Sequence, residues 1–179
     1  MIKLQTTIVP LAMLLSACAT GAPQAATDPL AKTVLRDAGG AESGTIEIAR
    51  DGAGLLLIAR VAGMAPGKAL GAHLHTVGTC AAPDFASAGP HLNPGARQHG
   101  SANPAGSHLG DLPNLQIGPA GSGMLAVRLP GEPEAVLSQL FDGDGTAVVI
   151  HAQADDYRTD PSGNSGTRIA CGALIRSVD

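Results

Sequence analysis

Short runs with strand-type patterning, separated by glycine and proline, restrict the fold of this chain more than any other feature. The chain has 24 Gly and 13 Pro. The segment 45–50 reads Thr-Ile-Glu-Ile-Ala-Arg and places Ile46 and Ile48 on one face. Further runs rich in branched residues predict strands at 55–61, 124–129, 146–151 and 169–175. Because the one candidate helix is 134–140, we predict an antiparallel all-β sandwich or barrel.

The N-terminus has the pattern of an export signal. Residues 1–17 begin with a basic Lys3, continue as an apolar stretch and are too short to span a bilayer. The tetrad Leu-Ser-Ala-Cys ending at Cys18 resembles the cleavage and lipidation motif of bacterial lipoproteins; ordinary cleavage after a small residue is the alternative. We predict a lipidated Cys18, a flexible tether over 18–31 and one domain over 32–179.

The net charge argues against a nucleic-acid partner. The whole chain carries a formal charge of −4, and removal of Lys3 with the signal changes it from −4 to −5. Nucleic-acid-binding domains instead carry basic patches.

The three cysteines are an odd number, which the export signal explains. If Cys18 carries lipid, Cys80 and Cys171 remain and can pair in the oxidising compartment that export implies.

All six histidines lie between residues 73 and 151, which indicates a metal site. His73 and His75 form a His-X-His pair, and residues i and i+2 of a strand point to the same face, so the two can bind one ion. His151, at the end of the predicted strand 146–151, completes this set of ligands. Imidazole suits copper and zinc.

A segment of more than thirty residues, 78–114, is rich in Gly, Pro, Ala and Asn and carries a second set of ligands. It contains His91, His99, His108 and Asp111, enough for a four-coordinate tetrahedral zinc site. Such a long loop requires an explanation, and a bound ion that serves as its core supplies one. A solvated flexible loop is the alternative.

Five segments together resemble the bacterial periplasmic copper-zinc superoxide dismutase family, lipoprotein form. They are 71–75 (Gly-Ala-His-Leu-His), 89–94 (Gly-Pro-His-Leu-Asn-Pro), 108–114 (His-Leu-Gly-Asp-Leu-Pro-Asn), 151–157 (His-Ala-Gln-Ala-Asp-Asp-Tyr) and 166–172 (Gly-Thr-Arg-Ile-Ala-Cys-Gly). The resemblance covers about residues 33–175. It implies an eight-stranded antiparallel Greek-key β-barrel with long metal-binding loops, and the dismutation of superoxide to O₂ and H₂O₂ by copper redox cycling.

The resemblance also implies roles for individual residues. It assigns copper to His73, His75, His91 and His151. It assigns zinc to His91, His99, His108 and Asp111, so that His91 bridges the two metals. It further implies that Asp155 links a copper ligand to a zinc ligand, that Arg168 guides the superoxide anion, and that Cys80 pairs with Cys171. Bacterial members of the family occur as monomers and as homodimers, and both states stay open here.

Two departures from the family pattern stand out. Ala72 replaces the bulky Phe that usually precedes the first copper histidine. The loop between Asp155 and Arg168 is short and contains Arg158 but no Lys, so fewer groups than in the longer eukaryotic form can guide the anion.

Three other functions fit the sequence less well than the enzyme does. A periplasmic copper carrier that binds without turnover would favour Cys and Met ligands, whereas Met64 and Met124 are isolated. A non-catalytic β-sandwich module would be expected to have lost a ligand or the arginine, and a zinc-only structural domain would not need the first histidine set. We expect the protein to lie in the bacterial cell envelope, anchored on the periplasmic side. The residue after Cys18 is Ala19 rather than Asp, which favours the outer membrane by similarity to enterobacterial sorting.

Overall fold

The strand-type runs form one curled antiparallel sheet in a computed structural model, which describes residues 29–177. The elements within this range are β1 Ala31–Asp37, β2 Glu42–Asp51, β3 Gly54–Val61, β4 Ala69–Leu70, β5 Ala72–His75, β6 Leu115–Gln116, β7 Gly123–Leu129, β8 Ala147–His151, β9 Arg168–Ala173, β10 Ile175–Arg176, the α-helix α1 Pro133–Leu140 and a 3₁₀ turn Ala86–Ala88. Cys18 and the predicted signal lie outside the described residues. No helix within 29–177 has the length and apolar character needed to cross a membrane.

The sheet has a Greek-key order. Its strands follow one another as β5-β8-β9-β1-β2-β3-β7, with β10 pairing β1, while β4 and β6 form a separate two-stranded ladder. Strands β3 and β5 lie close to opposite ends of this order although they are near neighbours in sequence, and so do β7 and β8. The chain therefore crosses between the two ends repeatedly, and the predicted all-β antiparallel Greek-key fold is confirmed.

Side-chain alternation accounts for the long strands. Ile46 and Ile48 in β2 are fully buried, as their spacing predicts. Strand β1 was not among the predicted strands, yet it alternates in the same way: Ala31 and Leu35 are fully buried, whereas Lys32 is exposed. Leucine, isoleucine, valine and alanine dominate the main core.

The predicted helix is confirmed and begins one residue earlier than expected. Pro133 occupies the start of α1, where a missing N–H costs nothing because the first helical N–H groups have no helical partner. Val136, Leu137 and Leu140 bury one face of α1 against the core.

The long segment after β5 is folded back over that strand. The Leu74 carbonyl accepts a hydrogen bond from the Leu92 N–H at 2.8 Å, and the Leu74 N–H donates to the Gly110 carbonyl at 2.9 Å. A side chain at Gly110 would place its Cβ only 2.3 Å from the Leu74 carbonyl oxygen, so this approach requires glycine. Isolated bridges pair His73 with Asp111 and His75 with His91. The backbone of β5 thus aligns two separate sets of ligands.

Candidate metal centre

All six histidines converge in the interior of the fold. Each is at most 6% exposed. Their ligand atoms fall into two groups of four, within each of which the atoms lie no more than 4.8 Å apart. The first group is His73, His75, His91 and His151, and the second is His91, His99, His108 and Asp111. The two sets predicted from the sequence are therefore brought together, and His91 belongs to both.

Strand geometry positions the first group. His73 and His75 project from β5 on the same face, and β5 pairs with β8. The β8–β9 register shifts between Ile150 and His151, which is where a bulge can redirect a side chain. The His151 N–H also bonds to the Gly71 carbonyl at 2.8 Å, immediately before β5. These contacts bring His151 to the His73–His75 pair.

One nitrogen of each histidine in the first group has no hydrogen-bond partner. These buried atoms are Nδ1 of His73 and Nε2 of His75, His91 and His151. A buried polar atom without a partner costs about 1–3 kcal/mol, so four together call for a common ligand. Four convergent imidazole nitrogens fit a copper ion.

The other ring nitrogens in this group fix the orientation of the rings. Nδ1 of His75 donates to the Gly89 carbonyl at 2.8 Å, and Nδ1 of His151 donates to the Gly166 carbonyl at 3.1 Å. Each donated N–H leaves the opposite nitrogen with a free lone pair. Each of these two rings therefore presents a nitrogen lone pair, able to bind a metal, to the centre of the group.

The second group has ligand atoms spaced closely enough for a tetrahedral zinc site. Nδ1 of His91, His99 and His108 each lies 3.0 Å from Oδ1 of Asp111. A tetrahedral ion with bonds of about 2.0 Å separates its ligands by about 3.3 Å. Oδ2 of Asp111 accepts the N–H groups of Gly100 at 2.8 Å and His108 at 3.0 Å, which aims Oδ1 at the three nitrogens.

His91 differs from the other five histidines. Each of those five directs one ring nitrogen to an oxygen outside the ligand groups, whereas His91 has its Nδ1 beside Asp111 and its Nε2 in the first group without a hydrogen bond. Both nitrogens of His91 are consequently available to the two groups, as a bridging imidazole requires.

Asp155 connects the two groups and is fully buried at its side chain. Oδ2 lies 2.8 Å from Nε2 of His73, and Oδ1 lies 3.0 Å from Nε2 of His99. The Asn114 amide holds the Asp155 backbone, accepting its N–H at 2.8 Å and donating to its carbonyl at 2.9 Å. The carboxylate therefore orients one histidine of each group.

Burial keeps the histidines of the first group neutral. Loss of solvent lowers the pKa of His73 from 6.5 to about 3, that of His75 to about 2 and that of His151 to about 4. Burial opposes ionisation of Asp155, but hydrogen bonds from His73, His99 and the Tyr157 N–H outweigh it and lower its pKa. The first group at neutral pH thus consists of neutral imidazoles beside the ionised carboxylate of Asp155, and neutral imidazole is the form that binds metal.

Arg168 supplies a positive charge beside the first group. It is half-buried at the start of β9, opposite His151, and its guanidinium donates to the carbonyls of Phe85 at 2.6 Å and Gly89 at 2.7 Å. Its charge contributes to the lowered pKa of His75 and of His151. Three of the five guanidinium N–H groups remain free of these two bonds.

The disulfide between Cys80 and Cys171, predicted from the sequence, is confirmed, with a Cα–Cα distance of 5.7 Å. It ties the loop that contains the Phe85 and Gly89 carbonyls to β9. Phe85 packs beneath it with Val149 and Cys171 in a small second core. The disulfide thus secures the acceptors that hold Arg168.

Several contributors to the site were not predicted. The carbonyls of Gly89 and Gly166 orient ligands, but a backbone acceptor leaves no signal in side-chain identity. Gly163 lies against Asp155, where a Cβ would come within 1.9 Å of Oδ1. Asn114 ends one of the recognised segments, yet its contact with Asp155 joins residues 41 positions apart.

The fold and the site define a class: a Greek-key β-protein with a two-metal centre that shares one histidine. Comparison with known proteins agrees. The family described as copper/zinc superoxide dismutase matches residues 42–174. The chain belongs to this family, whose metals are copper and zinc and whose reaction is the dismutation of superoxide.

Individual relatives support the same assignment. A superoxide dismutase-like protein of Bacillus subtilis is 47% identical over 135 residues, which are 74% of this chain and 69% of the relative. A copper-zinc superoxide dismutase of Aquifex aeolicus is 39% identical over 137 residues, 75% of this chain and 81% of the relative. The crystal structure of a superoxide dismutase-like protein from Bacillus subtilis has a TM-score of 0.75 at 43% identity, and the match covers 80% of this chain and 97% of that one.

Proposed function

We propose that this chain dismutates superoxide in the bacterial cell envelope, with copper held by the first histidine group and zinc by the second. The observation that carries the proposal is the set of four buried imidazole nitrogens without hydrogen-bond partners, next to the cation Arg168. A bound copper ion would supply two oxidation states, which would allow one superoxide to be oxidised to O₂ and a second to be reduced, with two protons, to H₂O₂.

Arg168 draws the substrate to the copper group. Its carbonyl contacts fix the guanidinium while leaving N–H groups free to bind a small anion. The chain as a whole is negative, but a fixed charge in a pocket acts on the anion at short range, where it outweighs distant charges.

His91 is the residue best placed to move a proton. Its Nε2 faces the first group and lacks a hydrogen bond, while its Nδ1 is anchored beside Asp111. We assign Nε2 as the atom that takes up a proton and passes it to the reduced substrate. The ring keeps its position during this proton transfer because Asp111 of the second group holds Nδ1.

Metal loading followed by a superoxide assay tests the proposal. We expect one copper and one zinc per chain, with turnover only when copper is present. His151→Ala removes a ligand of the first group alone, so this variant should keep zinc, lose tight copper binding and lose activity. Full copper occupancy without turnover would contradict the enzyme and indicate a copper carrier instead.

We also propose that Cys18 anchors the protein to the envelope membrane, the outer membrane in preference to the inner. The support is its position after a basic-then-apolar segment and before a tether rich in Ala, Thr and Pro. Several acyl chains anchor a protein stably, whereas one anchors it marginally, so a triacylated cysteine should resist a high-salt wash.

Replacement of the cysteine tests the anchor. Cys18→Ser should abolish metabolic acyl labelling while leaving superoxide activity intact in a soluble form, because β1 begins well downstream. Release of the unlabelled wild type with soluble periplasmic proteins would show that residues 1–17 are an ordinary signal peptide. Sedimentation of the soluble Cys18→Ser protein distinguishes a monomer from a homodimer.

A further inference from the structure

A surface depression of about 500 Å³ lies outside the copper group. Its lining residues are Pro83, Asp84, Ala86, Gly166, Thr167 and Arg168. Gly166 contributes the carbonyl that holds His151, and Arg168 shares the Gly89 carbonyl with His75. The depression therefore adjoins the backbone groups that hold two histidines of the first group, His75 and His151.

The lining of this depression contains one cation and one anion, Arg168 and Asp84. Oδ1 of Asp84 accepts the Ala86 N–H at 3.0 Å, which fixes the carboxylate in a turn. The next residue, Phe85, receives the Arg168 guanidinium on its carbonyl. Phe85 thus follows Asp84 in the chain and holds Arg168 through its carbonyl, which keeps the carboxylate and the guanidinium in the same part of the depression.

Asp84 acts on Arg168 through space rather than as an ion-pair partner. No carboxylate within residues 29–177 lies within 4.0 Å of the Arg168 guanidinium. The Asp84 charge nonetheless favours the charged form of Arg168, against the burial that lowers its pKa. An anion that enters the depression consequently meets attraction from Arg168 and repulsion from Asp84.

We infer that Asp84 is a selectivity residue that lowers the affinity of the Arg168 site for dianions more than its affinity for small monoanions. Coulomb energy is proportional to the charge of the entering ion, so Asp84 costs a dianion twice the free energy that it costs a monoanion, which offsets part of the doubled attraction of the dianion to Arg168. Superoxide is a monoanion, whereas sulfate and hydrogen phosphate are dianions. The inference concerns the substrate selectivity of the proposed enzyme and rests on that function.

Asp84→Asn isolates the charge, because the amide oxygen can still accept the Ala86 N–H. In the copper- and zinc-loaded protein, we expect this variant to bind azide roughly two- to fourfold more tightly. Sulfate affinity should rise by about the square of the azide factor, since its charge is double. The superoxide rate constant should rise by roughly the azide factor at low ionic strength, with a steeper decline as salt is added.

Glu132→Gln is the matched control. Glu132 is exposed next to α1, lines a different groove and forms no side-chain capping bond, so the variant changes net charge equally without touching the depression. Azide affinity is measured from the visible absorption of copper, and sulfate affinity from its competition with azide at constant ionic strength. Equal behaviour of the two variants, or equal azide and sulfate factors, would overturn the inference. If copper-loaded wild type bound azide without turning over superoxide, the proposed function would fail while the azide and sulfate comparison still decided the role of Asp84.

Discussion

Arg168 combines a fixed position with a half-buried charge, and replacing it separates attraction of substrate from binding of metal. Arg168→Ala should keep both metals, because neither ligand group includes it. The rate constant should fall roughly tenfold, the lower end of the effect expected for electrostatic attraction. Its dependence on ionic strength should also weaken, since screening acts on charges more than about 10 Å apart at 0.1 M salt. Unchanged kinetics would exclude the assigned role.

The absence of a side chain at Gly163 leaves room for the carboxylate of Asp155. An added Cβ would lie 1.9 Å from Oδ1 of Asp155, and the backbone has a φ of +64°, which disfavours alanine. Gly163→Ala should displace Asp155 and weaken metal affinity by roughly 10- to 100-fold, the usual cost of losing a partner that orients ligands. Gly143→Ala, with nothing within 4 Å of its added Cβ, is the control for competition titrations with a chelator. Equal metal affinity in both variants would contradict the orienting role of Asp155.

The disulfide is the link between two elements, the metal-binding loop and β9. It spans 91 residues, for which the chain-entropy model gives roughly 4 to 5 kcal/mol of stabilisation. Reduction of the soluble domain should therefore lower its melting temperature by about 10 °C. Thiol labelling before reduction should find no reactive cysteine in protein that lacks Cys18. A free thiol at Cys80 or Cys171 in the native protein would contradict this expectation.

Acid should destabilise the metal-free molecule as a whole. His73, His75 and His151 have a pKa of 6.5 when unfolded, but burial lowers it to about 3, 2 and 4 in the fold. Between these values the unfolded chain binds more protons than the folded chain, so stability is fully present above pH 6.5 and is lost progressively as pH falls through the folded pKa values, from about 4 for His151 to about 2 for His75. Denaturant unfolding of apoprotein at pH 7.5 and pH 4.5 measures the loss. Bound metals should delay it, because they hold the imidazoles unprotonated.

Most of the long elements could be predicted because their signals are local. Alternation in 45–50 and branched residues in 55–61 and 124–129 indicate strands without knowledge of any partner. The predicted strand 169–175 is divided between β9 and β10, and the two-residue strands β4 and β6 were not predicted, because two residues are too few to show a period. They exist only where another segment pairs with them.

The sequence by itself determined the all-β class and the chemistry of the ligands, since residue type and alternation belong to each segment alone. The sharing of His91 could be inferred only from resemblance to a family, because spacing along a loop does not show which ring faces which group. The tertiary structure decided the contacts of backbone carbonyls with ligands, of Gly163 with Asp155, and of Asp84 with the approach to Arg168. Apart from that of Gly163, these contacts join residues 14 or more positions apart in the chain, so they depend on the crossing of strands between the ends of the sheet and on the folding of the loop over β5.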